Sequence, residues 1–430
     1  MKKAIVVGTG AGGATVAREL QGAFQVTVLE AGDSFQPFSA NLKIIEKLKK
    51  GPGLFSHEKR IEWLFPAMHI GSSGGGMVLV NGLCHGGSTA LSTGSAVRQD
   101  QDLREIGIDL DAEFDALERE LPIHTDHGDL WRAASREAFD VCHEMGLSPL
   151  PTPKMIRREL CTGCGRCILG CPRDAKWDSR DFLIEAVEKG TGVLSGRKAR
   201  EVVLENGRAT GVLATNGRRT ELHGADLVVL AAGGLGTPVI LQQSGIECQD
   251  SLFVDPVLCV AARLEKAHQD RELPMPFLFQ EEHYMISPYF DFLSFFFNKD
   301  WKYPAGDIFS LMIKLKDSNS GSVSPSGVRK PLLEVDRARL DEAVKRCKDI
   351  LCKLGTKEDD IFLGTLNAGH PGGTLPLTEK EAKTLHHERL PVNLYVADAS
   401  LLPRSLGNPP SLTIMALAKR ISRACLEQAV

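Results

Sequence analysis

Gly8-x-Gly10-x-x-Gly13 stands between an apolar strand-like run, Lys3–Val7, and a helix-like run, Gly12–Leu20. No other stretch constrains the fold as much. A second strand-like run, Gln25–Glu30, follows, and Glu30 closes it seventeen residues after Gly13. Together these runs predict a βαβ unit that opens a parallel sheet. Each residue has a physical job. Gly8 permits a tight turn, Gly10 lets the backbone approach a pyrophosphate, and Gly13 lets helix and strand pack closely. The helix N-terminus then faces the phosphates, and Glu30 accepts hydrogen bonds from a ribose. The pattern predicts dinucleotide binding but does not choose between NAD and FAD.

The chain has 430 residues, room for two or three domains, and is 43% hydrophobic and 25% charged, an ordinary balance for a globular protein. A net charge of −4 gives no reason to expect nucleic acid or an acidic membrane surface as a partner. The most apolar stretch, Leu227–Leu235, is far shorter than the ~20 residues a membrane span needs. The basic start, Met1-Lys2-Lys3, leads into too short an apolar run for a signal peptide. The expected location is therefore cytoplasmic.

Eleven cysteines, an odd number with no secretion signal, argue against a disulfide framework. Seven are scattered and read as small buried hydrophobes. The other four form Cys161-x2-Cys164-x2-Cys167-x3-Cys171-Pro172, the spacing of bacterial ferredoxins. The intervening Gly163, Gly165 and Gly170 let the loop wrap, so the run predicts a [4Fe-4S] cluster. Cys171 is the expected fourth ligand, because no second run competes for it. The alternatives are a distant fourth ligand (Cys84 or Cys142), a three-iron cluster on three thiolates, structural zinc, or unligated thiols.

Further along, residues 112–147 look helical and the cysteine run lies in a loop bounded by Pro151, Pro153 and Pro172. Thr191–Leu222 alternates around Asn206-Gly207 and Asn216-Gly217, which signals hairpins. Ala225–Gly245 returns to strand, glycine turn and helix. Residues 250–365 hold most of the aromatics, from Phe277 to Tyr303. Their plainest reading is a sheet core; the others are an apolar substrate pocket or a docking face for an electron-transfer partner. Leu390–Leu426 reads strand, proline-rich loop, helix. The expected organisation is a cofactor domain in 1–150 and 181–250, the cysteine loop in 151–180, a substrate domain in 251–365 and a catalytic segment in 366–430.

Three segments choose the cofactor by resemblance. Gly82-Leu83-Cys84-His85-Gly86-Gly87-Ser88-Thr89 resembles the second glycine loop of the glucose–methanol–choline (GMC) oxidoreductases, which runs alongside FAD. Ala231-Ala232-Gly233-Gly234-Leu235-Gly236-Thr237-Pro238 resembles that family's second signature. Asn393–Pro403, with Asn408-Pro409 and Thr413, is similar to its C-terminal, cholesterol-oxidase-like segment. The resemblance implies an α/β fold: a Rossmann-like FAD domain with an inserted antiparallel-sheet substrate domain. It also implies FAD contacts from Gly86, Gly87, Ser88, Val202, Ala232, Gly233, Asp398 and Pro409, besides Gly8, Gly10, Gly13 and Glu30. Relatives with covalent flavin carry a histidine where this chain has Leu91, so FAD is expected to be non-covalent.

His370-Pro371-Gly372-Gly373-Thr374 resembles the family's catalytic histidine segment, and Asn408 falls at the partner position. A neutral imidazole can take a hydroxyl proton while hydride leaves for the flavin, and an adjacent amide can orient that hydroxyl. The other eleven histidines, including His386-His387, read as surface residues. Leu375–Leu390 departs from the family as a charged, helix-like insert. The sequence thus predicts an alcohol dehydrogenase whose electrons leave through the cluster to a redox partner protein. The alternatives are a reductase run in the opposite direction, or an electron-transfer subunit of a larger redox complex.

Overall fold

The computed structural model describes residues 1–38, 42–49 and 57–427. A parallel sheet forms first, in the order Leu394–Val396, Leu227–Leu230, Lys2–Val7, Phe24–Leu29, Gly192–Leu194. Its centre pairs Val7 with both Leu29 and Leu230. Leu227–Leu230 is buried along its whole length, as expected of a strand covered on both faces and written as an unbroken apolar run. Helices Ala11–Glu19, Arg180–Glu188 and Ser411–Glu427 pack together against it. A three-stranded antiparallel sheet, Lys198–Glu205, Arg208–Thr215 and Thr220–Gly224, lies beside it. Asn206 and Gly207 both take positive φ in the first turn, the geometry of a two-residue hairpin loop.

The second large sheet has nine strands. Its path runs Met68–Ser72, Val78–Gly82, Asn367–Ala368, Val257–Arg263, Ile308–Leu315, Tyr284–Pro288, Phe277–Gln280 and Leu150–Pro151, with Ile361–Leu363 also pairing Val257–Arg263. It draws strands from both sides of the cysteine loop, so the chain crosses between the two sheets several times. The central strand Ile308–Leu315 shows how the layers form. Phe309, Leu311, Ile313 and Leu315 face a core shared with helices Ala133–Glu144 and Glu334–Lys353. Ile308 and Met312 face an aromatic cluster. Strand alternation puts Ser310 and Lys314 on that second face too.

Three local expectations differ from the structure. Residues 112–147 form two helices, Asp111–Glu120 and Ala133–Glu144, separated by a segment that holds Pro122, a two-residue strand at Ile123–His124 and a 3-10 turn at Gly128–Leu130. Phe292–Phe297 is a short helix capped by Asp291, whose rings pack on the sheet rather than within it. Leu375–Leu390 holds only a 3-10 turn at Glu379–Glu381, closed by a capping box between Thr378 and Glu381. Two histidines expected at the surface are buried. His127 accepts from Trp131 Nε1 at 2.9 Å, and His387 is 3% exposed. Among the described residues no helix is long and apolar enough to cross a membrane.

Candidate active site

The first helix begins at Gly10, which takes no side-chain cap, and its first turn carries no acidic residue. Its leading N–H groups are therefore left for an anion. A Cβ on Gly8 would meet Ala231 O at 2.3 Å and one on Gly13 would meet Gly8 O at 2.0 Å, but one on Gly10 would meet nothing within 4 Å. Two of the glycines are thus demanded by packing and the third by open space. Glu30 is 5% exposed and accepts from Thr9 N (3.0 Å), Thr9 Oγ1 (2.6 Å) and Gly32 N (2.8 Å). Burial raises its pKa, against these hydrogen bonds.

Gly86 and Gly87 both take positive φ, and a Cβ on Gly87 would approach Gly10 Cα to 3.0 Å. Ser88 Oγ accepts from Gly82 N at 3.1 Å. Asp398 is engaged by the protein: it accepts from Gly233 N (2.9 Å), Thr237 Oγ1 (2.5 Å) and Ser400 N (2.9 Å). It thereby ties the helix Gly233–Gln243 to the last strand. Ala232 N donates to Thr237 Oγ1 at 3.1 Å, and Val202 N donates to Ser244 Oγ at 2.8 Å.

His370 and Asn408 are brought together through a residue the sequence did not single out. Asp255 Oδ2 lies 3.4 Å from His370 Nδ1. Its Oδ1 accepts from Ser405 Oγ, and from Gly407 N at 3.4 Å. One carboxylate therefore clamps the histidine segment to the loop that carries Asn408 and Pro409. Asp255 itself is held in a left-handed conformation (φ 50) by Asp317, which accepts its backbone N–H at 2.9 Å. Asp317 is paired at 2.8 Å with the fully buried Lys330.

Lys314 Nζ makes a 2.9 Å hydrogen bond to His370 Nδ1. Burial first, then Lys314, pull the imidazole down to about 4, against the upward pull of Asp255. Burial likewise pulls Lys314 down to about 8. The imidazole is therefore neutral at physiological pH. Asn408 is fully buried and donates from Nδ2 to Gln280 Oε1 at 2.6 Å. Gln280 Nε2 is fixed by Glu281 O and Tyr284 O, so the Asn408 amide cannot turn over without facing acceptor to acceptor. Its Oδ1 is buried without a hydrogen-bond partner.

Cys161, Cys164, Cys167 and Cys171 line one small cavity together with Ile156, Lys176 and Leu273. An isolated bridge between Ile156 and Lys176 closes the loop, and Gly163, Gly165 and Gly170 all take positive φ. Lys176 Nζ donates to Thr89 O (2.8 Å) and Ala90 O (2.7 Å). Lys154 Nζ donates to Ser95 Oγ at 2.9 Å. The cysteine cavity thus lies one segment away from the glycine loop that meets Gly10. Among the described residues no group of three or more His, Cys, Asp or Glu is drawn together around a single ion position. Of the scattered cysteines, Cys84, Cys142, Cys259, Cys347 and Cys425 are buried and Cys352 is exposed.

The GMC oxidoreductase family model matches residues 3–264, more than half the chain. The chain belongs to the GMC oxidoreductase family. A protein of Methanocaldococcus jannaschii named only as uncharacterised is 27% identical over 98% of this chain and 99% of its own. An uncharacterised GMC-type oxidoreductase of Sinorhizobium fredii is 26% identical over 98% of this chain and 94% of its own. A long-chain-alcohol oxidase of Arabidopsis thaliana is 23% identical over 99% of this chain and 66% of its own. The crystal structure of pyridoxine 4-oxidase shares the fold, with a TM-score of 0.72 at 18% identity over 98% of this chain and 99% of that one.

The protein is therefore a GMC-type FAD oxidoreductase with the α/β architecture expected of it. The residues present fit FAD: the uncapped helix start, the open space at Gly10 and the buried acid after the second strand are the features a dinucleotide needs. Sequence reasoning missed Asp255 and Lys314. A faint signal existed in the lysine that interrupts the apolar run Ile308–Leu315.

Proposed function

We infer that this GMC oxidoreductase oxidises an alcohol to a carbonyl at a site built from His370 and Asn408. The Asp255 clamp carries this reading, because it joins the two loops expected to supply the pair. A neutral, partly buried imidazole is suited to accept a hydroxyl proton. The orphaned Asn408 Oδ1 is suited to accept from the same hydroxyl and aim it. FAD, held non-covalently with Leu91 in place of a tethering histidine, supplies the hydride acceptor. Gly8, Gly10, Gly13, Glu30, Gly86, Gly87, Ser88, Val202, Ala232, Gly233, Asp398 and Pro409 would surround it. The relatives named for a long-chain alcohol and for pyridoxine favour a hydrophobic or cyclic alcohol as substrate class.

The cysteine run fits an iron–sulfur cluster held by Cys161, Cys164, Cys167 and Cys171, which line one cavity. Buried Lys176 lines that cavity and buried Lys154 interacts with the charges of Cys161 and Cys167, and buried cations require counter-charge that four thiolates would provide. A cluster supplies a one-electron exit, which favours a dehydrogenase serving a protein acceptor over an oxidase. The eleven unpaired cysteines suit a reducing compartment such as the cytoplasm. Anaerobic purification with flavin, iron and sulfide quantified, followed by a screen for bleaching of the flavin band by alcohols, tests the reading. Bleaching by alcohols together with bound iron and sulfide supports it. A flavin that no alcohol reduces, in protein without iron, contradicts it.

A further inference from the structure

Lys314 sits on a strand buried along its full length, between Val257 and Met285 on the neighbouring strands. Among the described residues no carboxylate forms an ion pair with it, and its hydrogen bond goes to His370 Nδ1. A ring nitrogen that accepts from an ammonium carries no proton, so a neutral imidazole held this way carries its proton on Nε2. Asp255 Oδ2, 3.4 Å from the same Nδ1 and otherwise without a hydrogen-bond partner, favours the other tautomer. In that one Nδ1–H points at the carboxylate and Nε2 is bare.

We propose that Lys314 and Asp255 compete for His370 Nδ1, and that the charge on Lys314 decides whether Nε2 meets the substrate oxygen as a donor or as a base. The proposal rests on the reading that His370 faces that oxygen. With Lys314 charged, Nε2–H suits protonation of a carbonyl oxygen, the reductive direction. With Lys314 neutral, its amine and Asp255 both accept from Nδ1–H, and the bare Nε2 suits alcohol oxidation.

In the oxidative direction the hydroxyl O–H bond breaks and an Nε2–H bond forms. The Nδ1 proton passes to the Lys314 amine, giving an ammonium that later returns its proton to solvent. FAD, which Gly8, Gly10, Gly13 and Gly87 would hold, would supply the acceptor for the hydride, and both electrons, given up by the carbon that bears that hydroxyl. Reduction is the reverse. Lys314 is thus a positioning residue that acts through His370.

The charges around the pair are few. Asp255 precedes the strand Val257–Arg263, Lys314 lies on the strand paired with it, and behind Asp255 the carboxylate of Asp317 is matched by Lys330. Lys314 at about 8 and His370 at about 4 put the exchange of tautomers in an accessible pH range.

The test is the protonation of the His370 ring nitrogens in the FAD-loaded protein, read by proton–nitrogen correlation with isotope-labelled histidine and assigned by the signal missing from His370→Ala. The wild type is expected to hold Nε2–H at about pH 6.5 and Nδ1–H at about pH 9.5. Lys314→Met is expected to hold Nδ1–H at both, and Lys314→Arg, permanently charged, to hold Nε2–H at both. Alcohol-driven flavin reduction should show a rising limb near pH 8 in the wild type and none in Lys314→Met. The same tautomer in wild type and Lys314→Met at the lower pH overturns the proposal. If Lys314→Met does not fold, a switch to Nδ1–H in Lys314→Arg at the higher pH overturns it equally. The tautomer is read without turnover, so a failure here is distinguishable from a failure of the substrate assignment.

Discussion

Asp255 Oδ2 stands 3.4 Å from His370 Nδ1 while the other oxygen of the same carboxylate accepts from Ser405 and Gly407. A residue distant in the chain from both loops thereby holds them at one point. Asp255→Asn keeps an acceptor for Ser405 but removes the charge beside the imidazole. Losing a charge-assisted contact of roughly 1.5–3 kcal/mol should slow flavin reduction on the order of tenfold to a hundredfold. FAD content should be unchanged. Stopped-flow reduction under argon checks it, and an unaltered rate would remove Asp255 from the account.

The fingerprint glycines separate binding from folding. Gly10 has negative φ (−69) and open space where a Cβ would go. Gly10→Ala should leave the apoprotein's stability within ~0.5 kcal/mol while weakening FAD binding, because the methyl group enters the space the pyrophosphate needs. Gly13→Ala drives a Cβ toward Gly8 O at 2.0 Å and should cost about 1–3 kcal/mol in the apoprotein. Denaturation of both apo variants and a FAD titration distinguish the two roles.

How far the sequence could be read follows from the range of each signal. The fingerprint, Glu30, and the Asn206-Gly207 turn are local patterns, and the chain folds around them as the pattern predicts. The Lys314–His370 contact depends on the register of two paired strands and on the loop after Asn367–Ala368, which no local pattern encodes. Asp398 matched a motif, but its oxygens are taken by Gly233, Thr237 and Ser400, a detail set by tertiary packing. The Phe292–Phe297 run has no strand alternation, and Asp291 caps it as a helix through Leu293 N. Composition alone could not separate that from a sheet core.

The cysteine loop predicts its own metal content. Anaerobically purified protein should carry ~4 iron and ~4 sulfide per chain if the cluster is of the four-iron type. Cys161→Ser should lose most of it, while Cys352→Ser, on an exposed position, should keep it. Cys171→Ser tests the fourth ligand, with loss of the cluster or conversion to a three-iron form as the expected result. Equal iron in Cys161→Ser and wild type contradicts the assignment.

Glu272 offers a pH prediction away from the site. It is 1% exposed and accepts from Ser135 Oγ at 2.6 Å, and burial pushes it up to about 7. Its folded-state pKa is raised, so the folded state binds its proton more tightly. That stabilisation is present below the unfolded pKa and is lost as pH rises from about 4.5 to about 7. Glu272→Gln should remove this loss, which amounts to less than about 3 kcal/mol. The variant should gain on the wild type as pH rises from about 5 to about 8. Denaturant midpoints at both pH values check the sign, and parallel shifts of the two proteins would refute it.

The central claim is hydride transfer from an alcohol with His370 as the base. The most direct test mixes FAD-loaded wild type and His370→Ala anaerobically with a panel of long-chain and cyclic alcohols and follows the flavin band. Bleaching of the wild type by at least one alcohol is expected, slowed by about 10²–10⁴-fold in His370→Ala at equal flavin content. Equal rates in the two proteins, or a wild-type flavin that no alcohol bleaches while a one-electron donor reduces it, would contradict the claim.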